Sequence, residues 1–292
     1  MKHSKGIRMK KVNICGVPEH FNLPWHFAIE EGAFEDRGIE LIWKDIPEGT
    51  GKMAHLLETG ETDLAIILTE GIVKSISDGN PSRIVQTYVQ SPLLWGIHVH
   101  GDNSISQISE LENKKVAISR FGSGSHLMAF VHAQKNNWKT KDLKFEVVNH
   151  LEGAVKALEK GDADYFMWEH FTTKPLVDKG TFKFLGDCPT PWPCFVIAGN
   201  VNFLEKNATT VNHIIQIINT YTTEFKRIPS IDRTFANRYQ QQLEDIQEWL
   251  SLTSWSQSQL SQDTLSLVLE KLTTLQLLGA KQELTDFLWN DA

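Results

Sequence analysis

Residues 111–126, LENKKVAISRFGSGSH, hold the densest set of chemically useful groups in the chain. A charged turn leads into the apolar run Val116-Ala117-Ile118-Ser119. The turn Phe121-Gly122-Ser123-Gly124-Ser125 follows, and then an apolar stretch from Leu127 to Ala133. A strand feeding a glycine–serine turn at a helix start leaves several backbone N–H groups without partners. Those donors and the positive end of the helix dipole suit an anionic or strongly polar ligand. The same pattern also reads as an ordinary turn capped by Ser123 or Ser125. His126 stands at the helix start, where the dipole favours its neutral form. It is a candidate hydrogen-bond donor to a ligand, or a general base if the protein is an enzyme.

Three more turns follow strands in the same way. Phe21-Asn22-Leu23-Pro24-Trp25 offers aromatic and amide groups, with core packing at a helix start as the alternative role for Phe21 and Trp25. Glu48-Gly49-Thr50-Gly51 and Thr69-Glu70-Gly71 each put a hydroxyl and backbone donors at a helix start. One such turn says little. Three on one sheet edge, with a fourth at 122–125, point to a ligand site. Trp168-Glu169 sets an aromatic plane beside a carboxylate, which suits a flat or cationic group; a buried Trp with a solvated Glu is the other reading. Trp192 is a candidate cover for the ligand, and Tyr88 and Ser91 stand where the chain passes between lobes. His98 and His100 share one strand face, but no third ligand accompanies them, so no metal and no cofactor are expected. No GxSxG elbow, Walker loop or dinucleotide fingerprint is present.

These residues need elements to hold them. Short β-rich runs at 12–17, 39–43, 63–68, 83–89, 95–100, 115–119, 144–148, 165–168, 182–185 and 195–199 read as strands. Between them, 25–35, 51–59, 71–78, 125–136 and 153–160 read as helices. Beyond residue 203 the pattern becomes helical, at 211–227, 230–243, 243–252, 263–278 and 282–289. Alternation of strand and helix predicts an α/β fold with mostly parallel sheets flanked by helices. Proline-marked stretches at Gln90-Ser91-Pro92-Leu93 and at Asp187-Cys188-Pro189-Thr190-Pro191-Trp192-Pro193-Cys194 read as two chain crossings. They divide the chain into one lobe of 1–92 plus 194–292 and another of 93–193.

The 41% hydrophobic and 22% charged content indicates an ordinary globular protein. A net charge of −7 without a long basic block argues against nucleic acid as a partner. No stretch is long and apolar enough to insert into a membrane. The first residues lack the apolar core of an export signal, so a cytoplasmic location is expected, or a periplasmic one if a signal has been trimmed. Three cysteines, Cys15, Cys188 and Cys194, show no metal-ligand spacing. A Cys188–Cys194 pair across the proline loop is open to the sequence but not required by it.

The order of these segments resembles the type II periplasmic-binding-protein fold, and most closely the group that binds taurine, aliphatic sulfonates, nitrate and thiamine pyrimidines for ABC importers. AIEEGAFEDRGIELIW (28–43) is similar to that group's first helix, turn and second strand. LLETGETDLAI (56–66) resembles its "L-x-x-G-x-x-D-x-A" step. LENKKVAISRFGSGSHL resembles its "L-x-G-K-K-V-x-V" strand with the ligand-binding turn, and AVKALEKGDADYFMWE (154–169) its "A-L-x-x-G-x-x-D-A" element. The resemblance covers about residues 11–200. It implies two lobes that close on a small organic ligand, an anion among the options, with an ABC importer as partner; a monomer is expected. It also implies ligand-facing positions for Asn22, Thr50, Thr69, Ser123 and Trp168. A lyase or biosynthetic enzyme on the same fold, with His126 or Glu169 as base, is an alternative, and so is a ligand-sensing module.

Overall fold

The computed structural model describes residues 9–278 and 284–290. Strands and helices alternate in the order β1 (Lys10–Gly16), α1 (Leu23–Glu30), β2 (Ile39–Asp45), α2 (Thr50–Thr59), β3 (Leu64–Leu68), α3 (Thr69–Ser77) and β4 (Ser82–Val89). Next come β5 (Leu94–His100), β6 (Lys115–Ile118), α4 (Gly124–Lys135), β7 (Lys144–Val147), α5 (Leu151–Lys160), β8 (Tyr165–Glu169), α6 (His170–Asp178), β9 (Phe182–Pro189) and β10 (Phe195–Asn200). Helices α7 (Val201–Lys206), α8 (Ala208–Glu224), α9 (Ile231–Tyr239), α10 (Leu243–Leu252) and α11 (Gln262–Thr274) complete the series.

The chain divides into two compact units. The first takes the described residues up to Gln90, Phe195–Glu270 and those from Leu278 on; the second takes Ser91–Cys194 and Lys271–Leu277. Each unit contains one five-stranded mixed sheet, in the order β2-β1-β3-β10-β4 in the first and β7-β6-β8-β5-β9 in the second.

Four of the five strands in each sheet run one way. The exceptions are β10, antiparallel to both β3 and β4, and β5, antiparallel to both β8 and β9. The odd strand is in each case the first one reached after a chain crossing. The shared direction of the other strands brings helix starts together on one sheet edge: α1, α2 and α3 in the first unit, α4, α5 and α6 in the second. The central strands are apolar on both faces, as β3 (LAIIL) and β10 (FVIAGN) illustrate, because helices cover both sides.

Three expectations change. A helix, α6, follows β8 directly although Pro175 lies inside it, and α7 follows β10 without a break. At the C-terminus the expected helix over 282–289 is absent in its described part. Residues 282–283 lie outside the described residues, Leu284–Asp286 form a 3-10 turn, and Leu288 bridges Ile84 in parallel. Backbone bonds from Ile84 to Phe287, from Trp289 to Ile84 and from Thr87 to Ser258 cover the outer edge of β4. A bare strand edge there would invite pairing with another chain.

The cysteines are free and buried. Cys188 pairs in register with Trp95, whereas the Cys194 N–H bonds the carbonyl of Ser91. The pairing that the sequence left open across the proline loop is therefore not made.

Candidate functional site

The turn between β6 and α4 is built by its own serines. Ser123 is the N-cap: its hydroxyl oxygen accepts from the His126 N–H at 3.3 Å and its proton goes to the Arg120 carbonyl at 2.7 Å. Ser125 Oγ accepts from the Ser119 N–H at 2.9 Å and lies 3.1 Å from Ser123 Oγ. Both side chains are buried. The hydroxyls therefore shape the turn, while the N–H groups of Gly124 and Ser125, the first two of α4, have no acceptor within it. Gly122 takes φ +79, a left-handed conformation that a side chain would strain. Its N–H donates to His126 Nδ1 at 3.1 Å, so the ring proton resides on Nε2. Burial lowers the His126 pKa and keeps the ring neutral. Arg120, half-buried in the same turn, has its pKa lowered by burial and remains a cation.

At the end of β8, Trp168 is half-buried. It stacks on Phe166 at 5.3 Å and meets Trp95 edge-on at 6.3 Å. Glu169 has a different task. Its Oε2 accepts from the Thr172 N–H at 2.6 Å and from the Thr172 hydroxyl at 2.7 Å, which caps α6. Burial raises the Glu169 pKa and these bonds oppose that rise. A carboxylate so engaged is poorly placed to act as a base. His98 Nε2 and Thr173 Oγ1 share a hydrogen bond at 2.9 Å, and His100 Nδ1 accepts from the Asp102 N–H at 3.3 Å. Among the described residues no three His, Cys, Asp or Glu are grouped to hold a metal ion.

In the first unit the structure brings Thr50 and the Thr69-Glu70-Gly71 turn together. A Cβ on Gly71 would lie 2.1 Å from Thr50 Cγ2, so glycine is what allows the starts of α2 and α3 to touch. Helices α1, α2 and α3 have no side-chain cap, in contrast to α4, α5 and α6, which are capped by Ser123, His150 and Glu169. Thr50 is half-buried; Thr69 and Glu70 are buried. Asn22 is buried as well. Its Nδ2 donates to the Val17 carbonyl at 2.8 Å, which leaves Oδ1 without a partner among the described residues.

Several aromatic candidates use their side chains inside the first unit. Trp25 is fully buried, stacked on Phe34. Phe21 contacts Phe195 and Trp249, and its carbonyl accepts from Tyr88 Oη at 2.6 Å and from Trp255 Nε1 at 3.2 Å. Burial pushes the Tyr88 hydroxyl pKa up. In the second unit Trp192 is buried and its carbonyl accepts from Thr190 Oγ1 at 2.9 Å. Ser91 is half-buried and is tied to Cys194 through its carbonyl.

Two residues absent from the sequence reading of the site stand out. Trp43 lies over the end of β1, where a Cβ on Gly16 would come within 2.7 Å of its ring, and its N–H is fixed on Asp45 at 2.8 Å. A Trp two residues before an acid at a strand end was the available signal. Phe121, in the α4 turn, leaves 65% of its surface exposed. A large apolar residue among glycines and serines was the signal there.

The family model described as Ca3427-like PBP matches residues 95–188. The structure of the Candida albicans CA3427 gene product superposes with a TM-score of 0.87 at 24% identity, covering 97% of this chain and 99% of that one. The alkanesulfonate-binding protein SsuA from Xanthomonas axonopodis pv. citri, bound to MOPS, gives 0.80 at 15% identity, with 96% and 98% covered. The nitrate-binding protein NrtA from Synechocystis PCC 6803 gives 0.69 at 14% identity, with 94% and 84% covered. No curated protein matches the sequence. The chain has the type II periplasmic-binding-protein fold. No helix among the described residues is long and apolar enough to cross a membrane.

Proposed function

We propose that this protein binds a small organic ligand and closes its two units on it. The observation that carries this reading is the pair of N–H groups at Gly124 and Ser125, left open at the start of a twelve-residue helix whose serine hydroxyls are already engaged. Two parallel donors, the helix dipole and the nearby Arg120 favour an anionic head group such as a sulfonate or carboxylate. Thr50, beside the open start of α2, supplies a hydroxyl from the first unit, and Trp168 a flat wall from the second. Closure follows only if the ligand binds the closed form better than the open one. An ABC importer is the proposed partner, a reading supported by neighbours such as the ligand-binding component of an ABC-type import system from Staphylococcus aureus, and a periplasmic location goes with that proposal.

The direct test is native mass spectrometry of the purified protein, with thermal denaturation before and after dialysis under denaturing conditions and refolding. A retained organic anion that raises the melting temperature on re-addition supports the reading. A cation or a neutral lipid recovered instead would refute the assignment of the turn.

A further inference from the structure

The fold alone does not distinguish a site for a small inorganic anion from one for an organic anion. One residue of this chain does. We propose that Phe121 sets ligand choice, its exposed ring taking the apolar or aromatic portion of an organic anion whose charged head lies on the Gly124 and Ser125 N–H groups. This rests on the reading of that turn as the anion site, and deepens it.

Phe121 is the most exposed of the large apolar side chains described, at 65%, against 49% for Leu252. It is also the only one of them within the turn. The ring is nonetheless held. It meets the His126 ring edge-on at 5.3 Å and the Phe145 ring at 5.9 Å, and Phe130 completes the cluster against His126 at 5.1 Å and Phe145 at 5.7 Å. An apolar ring fixed in position yet left in water gains when a ligand covers it, at little further cost in side-chain entropy.

His126 is the second observation. It is 7% exposed, its Nδ1 is engaged by Gly122, and its Nε2–H has no hydrogen-bond partner among the described residues. That nitrogen is not among the fully buried side-chain atoms left without a partner, so it stays open to water, which a ligand oxygen can replace. The imidazole stands in contact with the Phe121 ring, one residue beyond the open N–H pair, where a ligand oxygen would complete it. Polar donors for a head group and an apolar plate thus meet in one turn of one unit. An ion without a hydrocarbon part would leave the plate wet.

The test compares methanesulfonate with benzenesulfonate by calorimetry on the full chain and on Phe121→Ser. Benzenesulfonate is expected to bind the unaltered protein about tenfold more tightly, from the area it covers on the ring. In Phe121→Ser the preference should fall within about twofold, with methanesulfonate unchanged. The melting temperature should hold, because most of the ring is already in water. Equal affinity for the two sulfonates in the unaltered protein, or a preference that survives the substitution, overturns the role of Phe121 and leaves the anion turn standing. Binding of neither sulfonate overturns the anion turn itself, and this inference with it.

Discussion

Removing one donor from the anion turn without disturbing the helix is the sharpest available perturbation, and Gly124→Pro does it. Gly124 is the first residue of α4, the position where proline is favoured, because its fixed φ suits the helix and the lost N–H has no intrahelical partner. The preceding residue must be extended, and Ser123 is, at φ −80 and ψ 169. Folding is therefore expected to be unchanged or stabilised by about 0.4–1 kcal/mol, through the lower entropy of the unfolded chain. Binding loses a hydrogen bond to a charged group, worth about 1.5–3 kcal/mol. That corresponds to roughly a 10- to 150-fold weaker Kd. Calorimetry with benzenesulfonate, alongside thermal denaturation, reads both quantities. A variant that melts normally and binds within twofold of the parent would show that the start of α4 does not hold the head group.

Three further outcomes follow from the geometry. Gly71→Ala should destabilise the protein by about 1–3 kcal/mol through the collision with Thr50 Cγ2, and adding Thr50→Ser, which deletes that methyl, should restore the melting temperature; no rescue would mean that the strain lies elsewhere. His20, His98 and His132 are each lowered by burial from 6.5 to about 4, so their neutral forms stabilise the fold fully above about pH 6.5, and that stability is lost as pH falls toward 4, at about 3 kcal/mol per residue. Urea denaturation at pH 7 and 4.5 should reveal the loss, and His132→Phe should lessen it; an equal loss in the variant would exonerate His132. Thiol titration in denaturant without reductant should count three free thiols per chain, whereas a count of one would reveal a disulfide and refute the free state of the cysteines.

Much of the architecture was legible because the strands obey simple rules. Apolar runs of strand length, bounded by glycine, proline and charge, marked all ten. Helix α6 was not legible, since Pro175 reads as a breaker, yet a helix so short absorbs one missing N–H. Nor was the reversal of β5 and β10, because strand direction in a sheet is decided by tertiary pairing and leaves no trace in local composition. For the site, the turns were found by position and chemistry. The roles of Phe21, Trp25 and Tyr88 were not, because their burial depends on distant partners. Phe21 meets Trp249, and Trp255 donates to its carbonyl, more than 200 residues away along the chain. The serine turn shows a related limit. Sequence located the hydroxyls, but only geometry separates groups that build the loop from groups that remain open.

The placement of β10 has a consequence for how the molecule is made. It lies between β3 and β4, so these two strands share no neighbour until residues 195–200 have left the ribosome. All five strands of the other sheet have emerged by then. Vectorial synthesis thus orders assembly: the inserted unit has its sheet complete first, while β2, β1 and β3 have only one another to pair with and β4 waits for a late strand to join it to them. During that interval the facing edges of β3 and β4 are open to pairing with other chains.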